Sequence, residues 1–215
     1  MAYSEPRDIF RYIPNKIGYL RVVTALISFI TMTNYPLITV FFYGMSCLLD
    51  AVDGFLARKY NQCSKFGAVL DMVADRSTTS ALICWLSSVY PRQIIIFQVL
   101  LALDLSSHYM HMNASLQSGR ESHKSVDENS SKILYFYYSR RDVLFCVCAF
   151  NELFYLGLYL MHFHKLLTTI GKYIVILCFP GFAFKQYANM IQLIRASYIL
   201  AQIDSDDVNQ TVADV

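Results

Sequence analysis

The chain is 215 residues long, 55% hydrophobic and only 16% charged, with a formal net charge of +2; an average soluble domain carries roughly a quarter charged residues. That balance excludes a disordered chain, a disulfide scaffold and a nucleic-acid binder, because so small a charge offers little to a phosphate backbone. A mean hydropathy of +0.37 and apolar blocks of about 20 residues, the length of a bilayer-crossing helix, mark an integral membrane protein.

The N-terminal stretch MAYSEPRDIFRYIPNK carries charges and two prolines, so it does not read as a cleavable signal peptide. Within it, Asp8 to Tyr12 mixes Ile, Phe and Tyr with Arg and predicts a short helix lying in the interface. Six spans follow, at 17–33, 36–56, 67–89, 93–113, 143–161 and 170–190. Tight connections at Thr31–Pro36, Tyr90–Arg92 and His162–Lys165 separate odd spans from even ones, and 114–139 is the long polar connection. The expected fold class is therefore all-α: a polytopic integral membrane protein with six transmembrane helices and a short N-terminal interfacial helix. One membrane domain, 1–203, precedes a polar C-terminal tail, 204–215.

In the six-span reading, 15 of the 18 Lys and Arg residues fall on one side, leaving Arg92, Lys165 and Lys172 on the other. That asymmetry predicts cytoplasmic termini. The six cysteines contain no CxxC pair, and most lie in apolar stretches, where a free thiol packs as a small hydrophobe.

Polar chemistry concentrates where a membrane helix should avoid it. The second span ends in Asp50-Ala-Val-Asp53-Gly54-Phe-Leu-Ala57-Arg58, and the third begins Gly67-Ala-Val-Leu-Asp71-Met-Val-Ala-Asp75-Arg76. Asp50 and Asp53 share one helix face, as do Asp71 and Asp75, and a short loop joins the two helices into a hairpin. Four carboxylates at close range repel one another. Two Mg²⁺ or Mn²⁺ ions bring four positive charges and prefer hard oxygen ligands, and paired metals suit phosphoryl chemistry. No His or Cys lies inside the motif, which argues against zinc. Gly54, Ala57 and Gly67 leave room beside the acids, and Arg58 offers a fixed fork for phosphate oxygens. Ordinary helix caps and packing glycines would account for one such pair as well as a metal site does, but account poorly for four acids with these glycines and Arg58.

The string Asp50-x2-Asp53-Gly54-x2-Ala57-Arg58-x8-Gly67-x3-Asp71-x3-Asp75 resembles the signature of the CDP-alcohol phosphatidyltransferases at every fixed position. The resemblance implies six membrane helices, a homodimer, and a metal site at the cytoplasmic membrane surface. It implies that Asp50, Asp53, Asp71 and Asp75 hold two metal ions with Asp71 shared, and that Asp75 is the general base. Gly54, Ala57, Arg58 and Gly67 line the pocket for the CDP-linked donor.

The acceptor alcohol is a separate question. Ile13–Arg21, Leu103–Tyr109, Glu121–Lys124 and Asn151–Tyr155 are similar to segments of the eukaryotic, inositol-using branch of that family. This implies CDP-diacylglycerol as donor, myo-inositol as acceptor and the endoplasmic reticulum as location. From the residues themselves, Asp104 and His108 are four apart on one helix face, so a side-chain hydrogen bond between them is expected; such a pair could serve a polyol or simply link helices. Arg141 opens the fifth span, either as a positive-inside anchor or facing the acceptor. Asn151 and Glu152 sit in apolar surroundings, where a buried Glu needs a partner. His108 and Arg141 are the acceptor-binding candidates. Two alternatives stand beside this reading: the same chemistry with serine or glycerol 3-phosphate as acceptor, and a divalent-cation transporter using the four acids as a permeation site.

Overall fold

A computed structural model describes residues 5–118 and 141–213. Every regular element among them is helical: α1 Pro6–Phe10, α2 Ile13–Thr31, α3 Pro36–Lys59, α4 Lys65–Val89, a 3-10 turn at Pro91–Gln93, α5 Ile94–Gln117, α6 Arg141–Met161 and α7 Lys165–Ala213. The chain divides into two compact units, Met1–Leu86 and Ser87–Val215.

In the first unit, Asp8 caps α1 by accepting a hydrogen bond from the Glu5 N–H at 3.0 Å. Proline opens both α2, with Pro14 in the first turn, and α3, with Pro36 at its start, where the missing N–H costs nothing. The side of α2 that faces inward is built of small and hydroxylated residues, with Gly18, Thr24, Ala25 and Ser28 all buried. Small side chains let membrane helices approach closely, and the Thr31 and Thr39 hydroxyls meet at 2.9 Å across the α2–α3 pair. Helix α3 stops in a left-handed residue, Asn61 at φ 53°. That conformation lets the Gln62 N–H reach back to the Ala57 carbonyl at 2.9 Å and satisfies a terminal acceptor. Five residues later α4 starts, with the Ser64 hydroxyl accepting from the Gly67 N–H at 3.0 Å.

In the second unit, α6 and α5 each pack on α7. Phe154 of α6 stacks on Phe182 of α7 with ring centroids 4.0 Å apart. Glycines bring the same two backbones together, since a Cβ on Gly171 would sit 2.5 Å from the Gly157 carbonyl oxygen. Gly181, next to Pro180 inside α7, leaves space for the Phe150 ring. The Tyr90 hydroxyl donates to the Leu158 carbonyl at 2.9 Å.

Among the described residues, five helices are long and apolar enough to cross a membrane: α2, α3, α5, α6 and α7. Their outward faces carry large apolar side chains such as Ile30, Leu48, Ile95, Ile176 and Leu177, as lipid contact requires. The third expected span, 67–89, is a helix too, and at 25 residues α4 is long enough. It is not among the five, because Lys65, Asp71, Asp75 and Arg76 occupy its first half and Ser and Thr interrupt its second. Helix α7 outruns its predicted span: it is 49 residues long, about 74 Å at 1.5 Å per residue. The residues Asp204 to Asn209 continue it as exposed helix.

Candidate active site

The four aspartates converge on one guanidinium. Asp50 and Asp53 lie in the second half of α3, Asp71 and Asp75 in the first half of α4. Between them sits Arg21, in the middle of α2. Its Nη1 donates to Asp53 Oδ2 at 2.8 Å and to Asp71 Oδ1 at 2.5 Å. Its Nη2 pairs with Asp50 Oδ1 at 2.9 Å and also donates to Asp75 Oδ1. The fork of the guanidinium, with two terminal nitrogens in one plane, suits this fourfold task. The Arg21 carbonyl in turn accepts from the Ser46 hydroxyl at 3.1 Å, which pins α2 to α3 at the same level.

Exposure separates the members of the cluster. The Arg21 side chain is 2% exposed and Asp53 11%, whereas Asp75, Asp50 and Asp71 are 34%, 38% and 47% exposed. Arg21 and Asp53 thus form the floor, and three carboxylates open outward. Arg76 Nη2 lies 3.5 Å from Asp75 Oδ2, so both oxygens of Asp75 face guanidinium groups.

Charge and donor chemistry fit a hard divalent cation here. Single carboxylate oxygens of Asp50, Asp53 and Asp71 lie within 4.8 Å of one another, a group that can hold a metal ion. No thiolate or imidazole belongs to that group, so it is an all-oxygen site of the kind Mg²⁺ and Mn²⁺ prefer. Two arginines do not neutralise four ionised acids. The cluster has capacity for further positive charge.

Around it, Arg58 is exposed and folds back over its own helix: a Cβ on Gly54 would lie 3.4 Å from Arg58 Nη1. Gly54 therefore makes room for the guanidinium one turn on, and Ala57 is half-buried beside it. Gly67 makes room for protein rather than open space, because a Cβ there would lie 2.7 Å from Asn15 Oδ1 and 3.0 Å from Ser64 Oγ. Asn15, buried at the start of α2, also donates to the Ile9 carbonyl at 2.6 Å.

The remaining candidates belong to the second unit. The expected hydrogen bond between the Asp104 and His108 side chains is replaced by a backbone one. His108 Nδ1 lies 2.8 Å from the Asp104 carbonyl oxygen and 3.6 Å from the carboxylate, and the Ser107 hydroxyl is 3.2 Å away. An imidazole one turn along a helix reaches the i−4 carbonyl easily, which sequence spacing does not reveal. The buried Asp104 carboxylate instead accepts from Asn189 Nδ2 of α7 at 3.3 Å. Glu152 receives the partner it needs from its neighbour: Asn151 Nδ2 donates to Glu152 Oε1 at 3.1 Å. Arg141 begins α6, but its side chain lies outside the described residues, as do Glu121–Lys124.

Arg21 is the member of the cluster that sequence reasoning missed. An arginine inside an apolar span calls for buried counterions, and four unpaired acids elsewhere in the chain supplied them.

The comparisons with known proteins converge on the same elements. Residues 11–170 match the family model of the CDP-alcohol phosphatidyltransferases. A Saccharomyces cerevisiae CDP-diacylglycerol–inositol 3-phosphatidyltransferase is 57% identical over 199 residues, covering 93% of this chain and 90% of that one. The Homo sapiens protein of the same name is 42% identical, covering 93% and 96%, and an Arabidopsis thaliana one is 36% identical, covering 93% of both. No solved structure matches the chain. The matched span runs from the helix that carries Arg21 through the hairpin that carries the four aspartates, and the chain belongs to the CDP-alcohol phosphatidyltransferase family.

Proposed function

We propose that this membrane enzyme transfers the phosphatidyl group of CDP-diacylglycerol to myo-inositol and releases CMP, the activity named for its relatives at 36–57% identity. The observation that carries the chemistry is the outward-facing carboxylate cluster on the buried Arg21. Asp50, Asp53, Asp71 and Asp75 would hold two divalent cations, Mg²⁺ or Mn²⁺, which would supply Lewis acidity toward the diphosphate and the departing CMP. Asp53 and Arg21 anchor the floor, so the more exposed acids are oriented before any ligand arrives, which lowers the cost of assembling the reactive geometry.

Arg58 offers a bidentate fork to the diphosphate, with Gly54 and Ala57 keeping the adjacent α3 surface low and Gly67 admitting Asn15 and Ser64 at the start of α4. Asp75 takes the proton of the attacking inositol hydroxyl. Its Oδ2, held only by the 3.5 Å contact to Arg76, is the oxygen free to do so, while Oδ1 stays bound to Arg21. The new bond joins the inositol oxygen to the diacylglycerol phosphorus, and the phosphorus–oxygen bond to CMP breaks. His108 and Arg141 contribute to acceptor binding.

The positive-inside asymmetry supports an active site and both termini on the cytoplasmic side. The eukaryotic relatives support the endoplasmic reticulum, and family likeness supports a homodimer. The test is transfer from CDP-diacylglycerol to labelled inositol by purified protein with Mg²⁺ or Mn²⁺, with serine and glycerol 3-phosphate in parallel. Labelled lipid with inositol alone, lost on chelation, is the expected result; product with another acceptor only would overturn the assignment.

A further inference from the structure

Helices α2 and α4 interlock beside the carboxylates. Asn15, 2% exposed at the start of α2, turns its Oδ1 into the space left by the missing side chain of Gly67, where a Cβ would lie 2.7 Å away. One turn further the hole is on the other helix: Leu70 of α4 fills the space over Gly18, where a Cβ would lie 2.8 Å from Leu70 Cδ2. The next step is Arg21, which donates to Asp71 and Asp75. Positions 15, 18 and 21 share one face of α2 and meet positions 67, 70 and 71 to 75 of α4 in the same order. Side chains of each helix therefore enter holes in the other, a close packing that small residues permit. A slide of α4 by one turn would set Asn15 against Cys63, Ser64, Leu70 or Asp71, all of which carry side chains.

Asn15 is not free to swing aside. Its Nδ2 donates to the Ile9 carbonyl at 2.6 Å, so a rotation that took Oδ1 away from Gly67 would break that bond in a buried place, which is costly. The loop before α4 is held at the same level, because the Ile13 N–H donates to Gln62 Oε1 at 2.9 Å and the Phe10 and Phe66 rings meet edge to face with centroids 4.9 Å apart. The consequence reaches the acids through helix geometry. At 1.5 Å per residue, Arg21 stands about 9 Å along α2 from Asn15, while Asp71 and Asp75 stand about 6 and about 12 Å along α4 from Gly67. With Asn15 seated in Gly67, the level of Arg21 falls midway between the two acids it bonds. A slip of one turn, about 5.4 Å, would carry it past one of them. We infer that Asn15 is a positioning residue: seated in Gly67 and backed by Leu70 over Gly18, it sets the register of α2 against α4 and so the height at which Arg21 holds Asp71 and Asp75. The inference deepens the proposed function and rests on it for the transfer readout alone. Gly67 then serves the site by admitting Asn15, rather than by leaving open space for the donor.

The test is suppression of one substitution by another, on the full chain in nanodiscs. Gly67→Ala presses a methyl group on Asn15, and kcat for transfer should fall on the order of tenfold to 10²-fold. Mn²⁺ affinity, read by electron paramagnetic resonance, should fall with it, while KM for CDP-diacylglycerol stays within about twofold. Asn15→Ala removes the obstructing amide, so Gly67→Ala/Asn15→Ala should exceed Gly67→Ala alone by about fivefold in kcat and should regain Mn²⁺ affinity, although it carries two lesions. If Gly67 keeps space for the donor instead, alanine there blocks the donor whatever stands at position 15. A double variant no better than Gly67→Ala, with KM for CDP-diacylglycerol raised in both, would overturn the inference, as would a Gly67→Ala that transfers and binds Mn²⁺ like the unaltered protein. Gly18→Ala, with and without Leu70→Ala, makes the same comparison one turn along and decides the matter where Gly67→Ala does not fold. Failure of the unaltered protein to use inositol would overturn the functional reading, and the Mn²⁺ affinities of the same variants would still decide the register.

Discussion

The two units each bury a polar cluster, and they do it by opposite means. In the first, charge is met with charge: one arginine faces four carboxylates, three of which remain over a third exposed. In the second, amides on α7 bond Asn151 of α6 and the buried Asp104 carboxylate of α5, and two amide oxygens have no partner among the described residues. A cluster rich in unneutralised anions binds cations and, through them, a diphosphate. The second, tied off by amide hydrogen bonds between α5, α6 and α7, holds its own helices together.

Breaking the charged cluster should have the largest effect. Asp75→Asn removes the proposed base without changing the shape of the side chain, and kcat for transfer should drop by about 10²–10⁴-fold, measured as CMP release. Helical content should be unchanged, and a wild-type rate would remove Asp75 from the mechanism. Arg21→Met should lower thermal stability in the presence of chelator. The loss should fall between the roughly 1 kcal/mol of an exposed ion pair and the about 3–5 kcal/mol of a fully buried one, because the partners of the buried guanidinium are only partly buried. Adding Mn²⁺ should raise the unfolding temperature of Arg21→Met more than that of the unaltered protein, since the ion then replaces the missing charge.

In the second unit, Gly171→Ala brings a methyl group to 2.5 Å from the Gly157 carbonyl and 2.9 Å from Met161. Overpacking of this kind costs about 1–3 kcal/mol, and a shift in unfolding temperature would register it. The smallest effect sharpens the comparison. Arg58→Lys keeps the charge but loses the fork, so KM for CDP-diacylglycerol should rise by about tenfold, equivalent to roughly 1.4 kcal/mol, with KM for inositol unchanged. An equal rise in both would contradict a role of Arg58 specific to the donor.

Much of this architecture is legible in the residues. Bilayer-length apolar runs announce helices α2, α3, α5 and α6, and the three- and four-residue spacings put Asp50 with Asp53 and Asp71 with Asp75. The arginine between them escaped notice because it also serves the count of cytoplasmic charges, a bulk rule that hides a buried residue's individual partner. Spacing predicts which side chains share a face, but not whether an imidazole such as His108 prefers the backbone carbonyl to the carboxylate beside it. Helix α4 is the reverse case: its polar residues place it below the apolar threshold of a span, and the same residues make it half of the site.

The most direct measurement of the central claim is Mn²⁺ binding to Asp71→Asn, followed by electron paramagnetic resonance or calorimetry alongside inositol transfer. Asp71 is the most exposed of the four acids and bonds Arg21, so its amide should fold while losing one ligand. The account predicts markedly weaker Mn²⁺ binding together with loss of transfer. Undiminished Mn²⁺ binding and normal transfer by folded Asp71→Asn would contradict it.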